Sequence, residues 1–118
     1  MGVILGDETE VIVAVPRKIR VGPHTYRIQT GKKAKQHLDD LGLVGQCIPA
    51  EAVIMVDPDL SGTVAAECLL HEVLHAIYDQ TSLRGGGKAV EEDVVSAISP
   101  LIISVLRDNP SLVSLLLG

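Results

Sequence analysis

Between Thr63 and Gln80 the chain reads TVAAECLLHEVLHAIYDQ, a run with neither glycine nor proline. Alanine and leucine, both strong helix formers, recur along it. The turn-forming DPDLSG precedes it, so Ser61 or Thr63 can cap a helix here. SLRGGGK comes after it, and its glycines break the helix into a mobile connection. A chain of 118 residues is one domain's worth, so the rest must fold around this helix.

The segments ahead of the helix read as strands and one short helix. RKIRVGPHTYRIQT alternates about a Gly-Pro turn signal, which predicts a β-hairpin with strands near Lys18 to Val21 and Thr25 to Gln29. KKAKQHLDDLG places Ala34, Leu38 and Leu41 at helical spacing and predicts a short helix closed by Gly42. AVIMVD is a compact apolar run, which predicts a third strand over Ala52 to Val56. Beyond the GGG break the chain reads as helical. AVEEDVVSAIS carries acids in its first turn, where the dipole favours them. Pro100 either kinks this helix or starts a new one capped by Ser99, and Asn109-Pro110 ends it before a last short helix. Strands first and helices after make an α+β pattern: a small, mostly antiparallel three-stranded sheet packed on helices. We read residues 1–118 as a single domain, with 1–15 loosely ordered.

Composition narrows the function classes. Aromatic residues are 2% of the chain, with no Phe or Trp, so the core is aliphatic and stacking platforms for nucleic acid are nearly absent. A net charge of -5 argues against a phosphate-backbone partner. Two cysteines are too few for a secreted disulfide framework, which points to a reduced, cytoplasmic setting. The N-terminus has no basic region ahead of its apolar run and is a poor signal peptide. No apolar stretch approaches the roughly 18 residues of a membrane span.

Inside the long helix lies HEVLH, His71 to His75. Residues four apart share a helix face, so both imidazoles can aim at one point between them. Zinc takes His nitrogen at roughly 2.0–2.1 Å, within reach of this pair. Glu72 is about 100° around the helix from His71, too far round to be a ligand beside both. It can instead reach a water polarised by the metal and act as general base. With 4 His and 7 Glu in 118 residues, the pattern arises by chance roughly 0.8% of the time. The bland alternative is two ordinary helix histidines without metal.

Catalytic zinc usually has three protein ligands, so one must come from elsewhere. His24 and His37 both precede the motif. Glu67 and Asp79 each lie about 6 Å of helix rise beyond the nearer histidine. Cys68 is one turn before His71, but a cysteine on an apolar helix is more often core. That leaves EED. Val94, Val95 and Ile98 define an apolar face on which Glu91 is nearly central, and Glu92 points to one side. A carboxylate centred on a buried face is costly unless paired or metal-bound. Glu91 is therefore the expected third ligand and Glu92 the reserve. The alternative is that both acids only favour the helix N-terminus.

LLHEVLHAIYD followed by EEDVV on a second helix resembles the zincin metallopeptidases, and a glutamate as third ligand is similar to their gluzincin branch. VIMVDPDL before the motif and SPLIISVLRDNPSLV after it look like the small phage- and prophage-encoded ImmA/IrrE-type peptidases. The resemblance covers roughly residues 45 to 113, and HExxH is its most specific part. It implies a minimal zincin-like domain with a catalytic Zn2+ and a protein or peptide substrate. His71, His75 and Glu91 would be ligands and Glu72 the base. Zincins also place a His or Tyr donor near the developing oxyanion. Tyr78 is the candidate on the motif helix, and Tyr26 or His24 could approach from the hairpin. The expected function is a zinc-dependent endopeptidase, its substrate added as a strand along an edge near Ala52 to Val56. The alternatives are a non-catalytic, zinc-stabilised interaction module and, further off, a metal-free helical adaptor.

Overall fold

The computed structural model describes residues 2–4, 11–13, 15–60, 62–81, 85–108, 110, 113 and 117. Two sheets and three α-helices are present among them. Strands β1 (Gly2–Ile4) and β2 (Val11–Val13) pair antiparallel as a two-stranded ribbon within the stretch read as loosely ordered. The main sheet holds β3 (Lys18–Val21), β4 (His24–Gln29), β5 (Gly45–Ile48) and β6 (Val53–Val56), in the order β3-β4-β6-β5. The helices are α1 (Lys32–Leu41), α2 (Gly62–Asp79) and α3 (Lys88–Asp108). No helix among the described residues is long and apolar enough to cross a membrane.

The expected α+β architecture holds, and three of its details change. The sheet has four strands rather than three: β5 is short, begins at a glycine and runs into Pro49, so no alternating pattern marks it. The sheet is also mixed. β3 with β4 and β5 with β6 are antiparallel, whereas β4 with β6 is parallel. Parallel neighbours need a crossover connection, and the segment containing α1 supplies it. Thirdly, β6 is not an edge. It pairs with β4 on one side and β5 on the other, so the open edge on this side of the sheet belongs to Gly45–Ile48.

Burial follows from alternation along β6. Ile54 and Val56 share one face with Val21, Tyr26, Ile28 and Ala76 of α2 in the main core. Val53, of opposite parity, is buried too, so this strand is covered on both faces. Helix α1 contacts β6 and buries Ala34 and Leu38. It ends as expected at Gly42, whose φ of 68° is the left-handed conformation a C-terminal cap requires.

Helix α3 runs through Pro100 without a break. Ser99 does not cap a new helix; its buried hydroxyl donates back to the carbonyl of Val95 one turn earlier. The phase of α3 also differs from expectation. Val95 is 1% exposed, but Val94 and Ile98 are 37% and 38% exposed. The side packed inward runs through Val95 and Ser99, which brings both Glu91 and Glu92, one turn before Val95, toward α2. Ser61, a candidate cap for α2, and most of the expected last short helix lie outside the described residues.

Candidate metal centre

The site forms where α2 meets the first turns of α3 beneath the end of β5. The rings of His71 and His75 are T-shaped with centroids 5.0 Å apart, as residues one turn apart on a helix allow. Their Nε2 atoms face each other at 3.3 Å. Glu92 completes the group, with Oε1 3.1 Å from His71 Nε2 and Oε2 2.9 Å from His75 Nε2. Among the described residues, these three each offer a ligand atom within 4.8 Å of the others.

Glu91 sits elsewhere: its Oε2 is 2.6 Å from Nδ1 of His75. An ionised carboxylate only accepts, so Nδ1 is the donor in this contact. In the neutral ring this leaves the lone pair of His75 on Nε2, aimed at Glu92 and His71. Acceptors converging on one point call for a cation or a proton between them. A tetrahedral ion with bonds of about 2.0–2.1 Å holds its ligand atoms about 3.3 Å apart, the separation of the two histidine Nε2 atoms, while Glu92 turns a different oxygen to each histidine. The donor set therefore fits a metal ion. Glu92, the reserve residue, groups with the two histidines as a set that could hold a metal ion, and Glu91 contacts the other ring nitrogen of His75. Ser96 in turn donates to Oε1 of Glu92 at 3.2 Å.

Glu72 lies beside this group, buried under β5. Burial pushes its carboxyl up to about 7, and the neighbouring Glu92 charge adds to this. His75 and the backbone N–H of Cys47, which donates to the carboxylate, pull the other way. A carboxyl that exchanges its proton near neutrality suits a general base. The fit of Glu72 under the strand depends on Gly45. A Cβ there would lie 2.6 Å from Sγ of Cys68 and 3.0 Å from Oε2 of Glu72.

These residues line one side of a cleft of about 1070 Å³ that runs along β5 between α2 and α3. Val44 accepts from the N–H of Asp57 at 2.8 Å, on the side of β6. Backbone groups alternate in direction, so Gly45 and Cys47 turn theirs to the open edge. The N–H of Cys47 reaching Glu72 agrees with this.

Other candidates from the sequence are not brought here. Tyr78 is buried but does not line the cleft. It is three residues past His75, which turns it roughly 60° away from that histidine's direction. Tyr26 belongs to the core, and His24 is outside the cleft. Cys68 donates Sγ–H to the carbonyl of Val44 at 3.4 Å, and burial pushes its thiol up to about 11. Burial likewise raises Cys47 to about 12, so neither offers a thiolate near neutral pH. Sequence reasoning missed Gly45, Cys47 and Ser96, whose roles come from long-range packing or from a shifted ligand. Compared with protein-family models, with curated proteins and with solved structures, the chain matches none.

Proposed function

We propose that this chain is a zinc-dependent endopeptidase of the zincin type. The observation that carries the reading is the convergence of His71, His75 and Glu92, one donor atom from each within 4.8 Å of the others, with Glu72 beside them, along a cleft under an open strand edge. His71, His75 and Glu92 would hold the ion. Bound there, zinc supplies Lewis acidity toward a carbonyl oxygen and toward water. Glu72 takes the proton of the attacking water and passes it to the leaving amine. Burial raises its proton affinity above that of an ordinary carboxylate, as a proton acceptor needs. The substrate backbone lies along β5, where Gly45 and the carbonyl of Cys47 offer main-chain partners. Glu91 fixes the ring of His75 so that its Nε2 lone pair stays in place.

A second reading, a non-catalytic zinc-stabilised interaction module, is favoured by one observation. None of Tyr26, Tyr78 and His24 lines the cleft, so these oxyanion donors are missing from it. Two measurements divide the readings. Purified protein should hold close to one zinc per chain, and failure to bind added zinc removes both. Zinc-loaded wild type should cleave peptides from a mixed library, while Glu72→Gln keeps zinc and cleaves none. Zinc binding without cleavage selects the module.

A further inference from the structure

Five carboxylates line the cleft, and four have a role or a partner. Glu91 and Glu92 contact the histidines, Glu72 lies under β5, and Glu67 meets Arg107 at 3.4 Å. Asp79 remains. It is partly buried at the C-terminal end of α2 and has no hydrogen bond or ion pair among the described residues. Lys88, exposed and lining the same cleft, makes no ion pair with it among the described residues. A carboxylate that has lost part of its hydration without gaining a partner is a poor solution for a resting protein. It is a good one for a cleft whose occupant brings the counter-charge.

The position of Asp79 along the cleft fixes where that charge must sit. The ligand histidines are centred on residue 73, so Asp79 lies about 9 Å further along the axis of α2. An extended peptide advances about 3.3 Å per residue, so this distance spans two to three residues. Direction follows from β5. The carbonyl of Val44 meets Cys68, Gly45 lies against Cys68 and Glu72, and the N–H of Cys47 reaches Glu72, so β5 runs the same way as α2. A peptide added antiparallel, the slightly more stable pairing, has its N-terminal end toward Asp79.

We propose that Asp79 selects a lysine or arginine side chain two to three residues N-terminal to the scissile bond. This rests on the peptidase reading above and names the substrate class of the same cleft.

The test uses full-length, zinc-loaded protein and a peptide library randomised over eight positions, with cleavage products read by mass spectrometry. Wild type should enrich Lys and Arg at the second or third position before the cut by about tenfold, the scale of one charge-assisted contact. Asp79→Asn should lose the enrichment, and Asp79→Lys should shift it toward Asp and Glu. Each enrichment is a ratio within one sample, so partial unfolding of a variant does not imitate the effect. Cleavage without enrichment, or with enrichment unchanged in Asp79→Asn, overturns the inference and leaves the peptidase reading standing. If wild type cleaves nothing, the same library is captured on immobilised zinc-loaded protein. Retention of basic peptides that Asp79→Asn abolishes then keeps the recognition of a basic side chain and removes the peptidase. No such retention removes both.

Discussion

Removing Glu91 and Glu92 one at a time tests the rotational setting of α3 at the metal centre. In Glu92→Ala one of three donors is gone, and two imidazoles remain 3.3 Å apart. In Glu91→Ala all three donors stay, and only the 2.6 Å contact to Nδ1 of His75 is lost. Loss of such an orienting contact typically weakens metal binding 10–100-fold, or about 1.4–2.7 kcal/mol. Glu92→Ala should exceed that range. Glu91→Gln sharpens the argument, because its amide oxygen can still accept from Nδ1. It should retain more affinity than Glu91→Ala. The assay is zinc competition against a chelator of known affinity at neutral pH, with circular dichroism to confirm the fold. A loss above 100-fold in Glu91→Ala, with Glu92→Ala inside that range, would refute the assignment. Glu91 rather than Glu92 would then be the third donor.

The packing of α3 can be tested apart from metal. Val95→Ala should destabilise by about 2 kcal/mol, for two buried methyl groups and their cavity, while the half-exposed Val94→Ala stays within about 0.5 kcal/mol in urea unfolding. Equal losses would place both on the buried side. Gly45→Ala should cost about 1–3 kcal/mol by overpacking and slow turnover more than it weakens zinc binding. Gly45→Ala combined with Cys68→Ala should recover part of the stability, because Sγ of Cys68 is the nearest clash; strict additivity would count against this. A last expectation concerns acid. The N–H of Asp59 and the ammonium of Lys35 hold Asp57 below the usual carboxylate range. Its contribution is present above the unfolded carboxyl pKa and is lost as pH falls through the lower folded value. Asp57→Asn should therefore flatten the acid limb of stability against pH, and an unchanged limb would show that other groups control it.

Much of the centre was legible because it is local. HEVLH needs only a helix to bring His71 and His75 to one face, and the composition from Thr63 to Gln80 ensures that helix. The cap at Gly42 and the hairpin strands are equally short-range, and both were placed within a residue or two. The third candidate donor was not local. Glu91 and Glu92 are adjacent and about 100° apart, and both reach His75, so which one meets the paired Nε2 atoms depends on how α3 is rotated about its axis. That rotation is set by burying Val95 and Ser99 rather than by the most apolar arc, which leaves Val94 and Ile98 more than a third exposed. The open edge is likewise a property of the whole sheet. GQCI carries no alternating pattern, and its place beside β6 comes from the register Gly45↔Val56 to Ile48↔Val53. Helix capping and spacing are decided within a turn or two of chain. The choice between neighbouring carboxylates, and between two strands as the edge, belongs to contacts that only the folded chain makes.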